Sequence, residues 1–201
     1  MPSADPVLTV FVDRDGVINE NRDDYVKSWQ EFVFIPGSIE ALASLARTGV
    51  RVFIATNQSV VGRGQISRRA LDEVHDKMLD VLHGSGAKIE EVLVCAHHPQ
   101  DACICRKPAP GLITDAAKTF GVDMRYAIVI GDHTSDIEAG AAAGAKTVLV
   151  RTGRGTEVER AERWGTAKPD FVADDLVDAA LWVLTQKALL SAGSREGVLQ
   201  R

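Results

Sequence analysis

The chain has 201 residues, 45% apolar and 25% charged, with 17 Gly and 7 Pro; that suits one domain of ordinary size with a real core, and no repeat or low-complexity tract interrupts it. Its 28 acidic residues against 23 basic ones give a formal net charge of -5, which supplies no basic field for nucleic acid. The opening "MPSADPV" lacks the basic and apolar regions of a secretory leader and nowhere do 18 apolar residues run together, so a cytoplasmic, reducing location without membrane contact is expected.

The first predicted strand, Leu8 to Val12, runs directly into Asp13, Arg14, Asp15 and Gly16. Ser38 is expected to cap a helix carrying Ile39, Leu42 and Leu45 and ended by Gly49. A second strand, Val50 to Ala55, leads into Thr56, Asn57 and Gln58. Ser67 then caps a helix with Leu71, Val74, Met78 and Leu82 on one face; His75 and His83 are placed at its surface or boundary. Strand Val92 to Val94 leads into Cys95, and a helix is expected from Leu112 to Phe120. Strand Ala127 to Ile130 ends in Gly131 and Asp132, followed by a helix from Ile137 to Ala143. Strand Thr147 to Val150 ends in Arg151, Thr152 and Gly153; a weak strand at Phe171 to Val172 and a helix from Asp175 to Leu190 complete the pattern. Residues 1–190 are thus expected to form one domain, and 191–201 a mobile tail.

Apolar strands alternating with helices imply an α/β fold, a doubly wound parallel sheet covered on both faces. Ligands of such sheets bind outside the carboxyl ends of the strands. Asp13, Thr56, Cys95, Asp132 and Arg151 would therefore meet along one edge although they come from distant segments. Gly62, Gly64, Gly153 and Gly155 lie in the same loops and let backbone amides approach an anion.

Asp13 and Asp15 stand at i and i+2 and project to one side of an extended segment. As an isolated pair they read more simply as turn residues, and Asp132 as a helix cap. Thr56 and Lys107 in the neighbouring loops reverse that weighting. A nucleophile, an acid, a hydroxyl donor, a cation and a third carboxylate together describe phosphoryl transfer through an aspartyl-phosphate, with a divalent cation relieving the crowded charge. All-oxygen ligation of this kind is the pattern of Mg²⁺. The residues alone define a phosphate monoester and no further.

The three cysteines are odd in number and fall together in "CAHHPQDACICRKP", which argues against a disulfide framework. Cys95, His97, Cys103 and Cys105 have the Cys₃His composition of a structural Zn²⁺ site, with His98 as the alternative nitrogen ligand.

"DRDGVIN", "ATNQSVVGRG", "CRKPAPG" and "GDHTSDIEAGAAAGAKTVLVRTG" resemble, in order, the four motifs of the haloacid dehalogenase superfamily. More narrowly they resemble the D-glycero-D-manno-heptose 1,7-bisphosphate 7-phosphatases and the related histidinol-phosphate phosphatases. The resemblance covers about Val7 to Gly155. It implies that Asp13 is the nucleophile and Asp15 the acid and base, that Thr56 and Lys107 hold phosphoryl oxygens, and that Mg²⁺ binds Asp13, the Asp15 carbonyl and Asp132, with Asp136 in its outer shell. It also implies a zinc loop that stiffens the approach to Arg106 and Lys107, and it favours His97 over His98. Asn19, the "GRG" around Arg63, and "PAPG" after Lys107 favour the heptose bisphosphatases, with Asn57, Arg106, Arg63, Arg151 and Arg154 as candidates to meet substrate. His133 stands where lysine is frequent in these enzymes. No segment is long enough for a separate cap domain or lid, so the expected partner is a small soluble sugar phosphate met by a monomer. The competing class, a non-catalytic phosphosugar binder, does not account for Asp13, Asp15, Thr56, Lys107 and Asp132 occurring together.

Overall fold

The apolar runs become strands because both of their faces are covered. The computed structural model describes residues 7–196. Strands β1 (Thr9–Val12), β2 (Arg51–Asn57), β3 (Ile89–Cys95), β4 (Ala127–Gly131), β5 (Lys146–Val150) and β6 (Phe171–Ala173) form one six-stranded sheet in the order β3-β2-β1-β4-β5-β6. Every pairing is parallel. Helices α1 (Ser38–Arg47), α2 (Ser59–Gly62), α3 (Arg68–Gly84), α4 (Gly111–Phe120), α5 (Thr134–Ala142), α6 (Gly155–Arg160) and α7 (Leu176–Glu196) supply the crossovers and the layers.

The period of two along the strands divides the core. Val10, Val12, Val52, Ile54, Ile128, Ile130, Val148 and Val150 pack with Leu42 and Leu45 of α1, Val74 and Met78 of α3, and Leu176 and Val183 of α7. On the other face Phe11, Phe53 and Val129 pack with Ile113 and Ala116 of α4 and Ala139 of α5, and the Phe11 and Phe53 rings stack at 5.2 Å. Burying one large aliphatic side chain of such a core contributes about 1.5–3 kcal/mol.

Helix α3 follows its sequence signal: Ser67 accepts the Ala70 amide as its cap, and Leu71, Val74, Met78 and Leu82 are fully buried. Ser38 departs from expectation. It is the first residue inside α1, with left-handed Gly37 as the cap, and its hydroxyl donates to the Ile18 carbonyl. His75 is buried rather than at the surface, because it has a polar partner across the core; His83 is exposed. Strand β3 starts three residues earlier than predicted, its charged Glu90 and Glu91 being admissible on an edge strand. Residues 191–196 continue α7 instead of beginning a separate tail; 197–201 lie outside the described residues. Among the described residues no helix is long and apolar enough to cross a membrane. The segment between β1 and α1 holds only a 3-10 turn at Trp29–Glu31, and no separate cap domain is present there.

Candidate active site

β1 is paired with both β2 and β4, so the chain leaves it in opposite directions and a crevice opens at its carboxyl end. Asp13 extends the ladder with its amide on the Ile130 carbonyl at 2.9 Å, which brings it beside Asp132 at the end of β4. Gly16 turns the chain immediately behind the carboxylates with φ +85°, and a Cβ there would lie 2.2 Å from Asp132 Oδ2. A cavity of about 430 Å³ opens at this point, lined by Asp13, Asp15, Thr56, Asn57, Arg106, Lys107, Asp132, His133, Asp136 and Arg154, and by the loop residues Asn21, Arg22, Asp23 and Tyr25.

Lys107 is the centre of charge. Its Nζ lies 2.8 Å from Asp13 Oδ1 and 2.5 Å from Asp136 Oδ1, and donates to the Ala55 carbonyl at 2.6 Å. Burial opposes its charge, but Asp13 and Asp136 hold its pKa above the ordinary lysine value. One ammonium does not neutralise three carboxylates. Burial pushes the Asp13 carboxyl up to about 7 against the pull of Lys107, with Asp136 and Asp15 adding repulsion. Asp132 is raised well above the carboxylate range by burial and then by Asp13 and Asp136, although the Arg154 amide donates to its Oδ2 at 2.8 Å. Ligand atoms of Asp13, Asp132 and Asp136 all lie within 4.8 Å of one another. This hard-oxygen donor set, short of positive charge, fits a divalent cation of the Mg²⁺ type. Asp136 stands as close as the other two, so its geometry also admits direct ligation, beyond the outer-shell place expected for it. Its Oδ2 accepts the His133 amide at 3.1 Å and His133 caps α5 in return, so the cap is His133 and not Asp132.

Asp15 faces a different set of partners. Arg14 Nη2 donates to its Oδ1 at 2.8 Å, Asn19 Nδ2 to the same oxygen at 3.0 Å, and Gln58 Nε2 to Oδ2 at 2.7 Å. Burial raises this carboxyl, but the Arg14 charge and the three hydrogen bonds outweigh it and hold Asp15 below the ordinary range. Gln58 also donates to Thr56 Oγ1 at 2.8 Å, which leaves the threonine hydroxyl hydrogen free to point into the cavity.

The structure separates the candidate substrate residues. Arg106 lines the cavity with its buried Nη1 unpartnered, and Arg154 lines it too. Asn57 lines it, but its amide clamps the backbone of Lys107 in both directions, at 3.0 and 3.1 Å, so it places the lysine. Asn19 is fully buried beneath Asp15 and does not reach the cavity. Arg63 is exposed outside the cavity lining. Arg151 is absent from that lining and is held by Glu159 and Asp174. Sequence reading gave no site role to Arg14, Tyr25, Gln58 and His75, each of which has a partner remote in the chain: Arg14 meets His75, Gln58 meets Asp15 and Tyr25 meets Ser59. Local signals existed for two of them: Arg14 sits between Asp13 and Asp15, and Gln58 directly follows Thr56 and Asn57.

Cys95, His97, Cys103 and Cys105 converge beside the site. Their sulfur and Nδ1 atoms are 3.2–3.6 Å apart wherever a contact forms. A tetrahedron with Zn–S bonds of 2.3 Å has edges of roughly 3.8 Å, close to this spacing. His98 lies outside the set, its Nδ1 accepting the Gln100 amide. Lys107 follows Cys105 by two residues, so this cluster and the Asn57 clamp hold the lysine loop from both sides.

A HAD-hydrolase-like family model matches residues 104–179. The chain is 37% identical over 177 residues to the D-glycero-β-D-manno-heptose-1,7-bisphosphate 7-phosphatase of Bordetella bronchiseptica, covering 88% of this chain and 98% of that one. It is 47% identical over 141 residues to the enzyme of the same name from Rhodopseudomonas palustris, covering 67% and 78%. The crystal structure of D,D-heptose 1,7-bisphosphate phosphatase from B. bronchiseptica, complexed with magnesium and phosphate, superposes with a TM-score of 0.85 at 36% identity, covering 90% of this chain and 99% of that one. With its parallel sheet and carboxylates at the switch point, the chain belongs to the haloacid dehalogenase superfamily and, within it, to the family of the D-glycero-β-D-manno-heptose-1,7-bisphosphate 7-phosphatases.

Proposed function

We propose that this protein is an Mg²⁺-dependent phosphatase that removes the 7-phosphate of D-glycero-β-D-manno-heptose 1,7-bisphosphate, in the making of nucleotide-activated heptose. The observation that carries the reading is Asp13, Lys107, Asp132 and Asp136 grouped at one cavity, in a chain 36–47% identical to phosphatases of that name. Asp13 attacks phosphorus and the sugar oxygen leaves with a proton from Asp15. Water then attacks the phosphorus of the aspartyl-phosphate, Asp15 takes its proton, and phosphate departs with the Asp13 carboxylate restored. In the free protein Arg14 keeps Asp15 ionised; an arriving phosphate dianion raises its pKa by like-charge repulsion and prepares it to act as the acid.

Lys107 and the Thr56 hydroxyl hold phosphoryl oxygens, and the unpartnered Arg106 Nη1 with Arg154 offers a grip on the second phosphate. Asp13, Asp132, Asp136 and the Asp15 carbonyl would hold Mg²⁺, which when bound offsets the charge developing on those oxygens. Cys95, His97, Cys103 and Cys105 would hold a structural Zn²⁺ that fixes the lysine loop. The unpaired thiols suit a cytoplasmic setting, and a cavity complete within one chain supports action as a monomer.

The test is phosphate release with Mg²⁺ from the β-anomer, the α-anomer and histidinol phosphate in parallel, with Asp13→Asn as control. The expected result is a kcat/KM for the β-bisphosphate about a hundredfold above that for histidinol phosphate, roughly 2.7 kcal/mol of discrimination. Preference for histidinol phosphate would overturn the substrate assignment. Undiminished release by Asp13→Asn would overturn the nucleophile.

A further inference from the structure

Arg14 stands between the two catalytic carboxylates in sequence, yet its side chain is fully buried and takes no part in the cavity lining. Its Nη2 donates to Asp15 Oδ1 at 2.8 Å, and its Nη1 meets His75 Nε2 at 2.9 Å. A guanidinium has donors only, so His75 Nε2 is the acceptor and the imidazole proton sits on Nδ1. Burial and the adjacent Arg14 charge hold His75 down at about 3, so it is a neutral acceptor near pH 7. The Arg14 backbone is fixed as well, its carbonyl accepting the amides of Ile18 at 2.9 Å and Asn19 at 3.1 Å. Phe32 lies under the guanidinium, 6.0 Å from its ring centroid. Arg14 Nε, by contrast, is buried without a partner. The two terminal nitrogens therefore supply the side-chain hydrogen bonds that orient the group, one through His75 and the other through Asp15.

We propose that His75 is a positioning residue: from α3 it anchors Nη1 of Arg14, and the guanidinium so fixed sets the orientation of the Asp15 carboxylate. The proposal rests on Asp15 being the acid and base of the reaction proposed above. Without the acceptor, the guanidinium is free to turn toward other partners, and Asp15 loses the one charged donor of the three that aim it, Asn19 and Gln58 remaining. The group most affected is then the leaving alcohol, which needs a well-placed proton.

The test compares kcat/KM, which reports the steps up to departure of the alcohol, for two substrates in the Mg²⁺-loaded protein. Heptose 1,7-bisphosphate releases an alkoxide that needs protonation; p-nitrophenyl phosphate releases a phenolate that does not. His75→Leu should lose about a hundredfold on the heptose substrate, the scale of a small misplacement of a reacting group. It should lose no more than about threefold on p-nitrophenyl phosphate, where general-acid help is not required. His75→Gln, which keeps an acceptor oxygen, should recover most of the heptose activity. Arg14→Lys, which cannot serve both partners at once, should reproduce the selective loss and provides the test should His75→Leu fail to fold. Equal losses on both substrates, or none on either, would overturn the positioning role. Asp15→Asn is the control for the underlying reading: if it leaves turnover of the heptose substrate intact, the role of Asp15 fails, and the role of His75 with it.

Discussion

At Gly16 the molecule leaves no room for choice, because a side chain there would need both φ +85° and the space held by Asp132 Oδ2. Gly16→Ala should destabilise the protein by about 1–3 kcal/mol and displace Asp132, measured by urea unfolding together with Mg²⁺ titration. Unaltered stability and metal response would show that the turn is more tolerant than its geometry implies. His75 gives a second expectation. Its folded pKa of about 3 lies below the ordinary 6.5, so between those values the unfolded chain binds more protons and stability falls as pH falls. The contribution is complete above pH 6.5. His75→Gln should therefore show a shallower decline in unfolding free energy between pH 6.5 and 4 than the parent; parallel slopes would mean that His75 titrates normally. Residue chemistry was legible only in part. Asp13, Asp132 and Lys107 stand out because charged groups follow apolar runs or a family-like motif. Asn19 and Arg63 carry equally suitable chemistry, and only three-dimensional placement shows one turned beneath Asp15 and the other outside the cavity. Arg14 and His75 are 61 residues apart, and nothing local in either segment announces the pair.

At the scale of elements, helix α3 was readable from its cap and its i, i+3, i+4 apolar face. Short α2 and α6 were not, since four- and six-residue helices carry too few turns to show a period. The start of α1 was misplaced because Ser38 resembles a cap while its hydroxyl serves Ile18. The thiol loop is the element with the clearest experimental handle. If Zn²⁺ fixes it, Cys103→Ser should drop zinc content, by elemental analysis, from one equivalent per chain to near zero. It should also lower unfolding free energy by about 2 kcal/mol or more. Activity should fall with it, because Lys107 follows Cys105 so closely. A protein that contains no zinc when purified under metal-replete conditions would contradict the assignment.

Across the whole molecule, the alternation of strands and helices revealed the fold class, whereas the strand order is a property of long-range pairing that no single segment contains. That order matters for function: it seats Asp13 next to Asp132 and opens the crevice between the two directions of winding. The crowded carboxylates there should make the folded state respond to cation. At Mg²⁺ concentrations near 100 times Kd, stability should rise by about 2.7 kcal/mol, and Asp132→Asn should abolish most of the rise. No thermal shift with Mg²⁺ in the parent protein would separate the carboxylate cluster from metal binding. The central claim is most directly tested by ³¹P NMR of D-glycero-β-D-manno-heptose 1,7-bisphosphate turned over with Mg²⁺. Inorganic phosphate should appear together with heptose 1-phosphate, the 7-phosphate resonance being lost; accumulation of heptose 7-phosphate, or a spectrum that does not change, would contradict it.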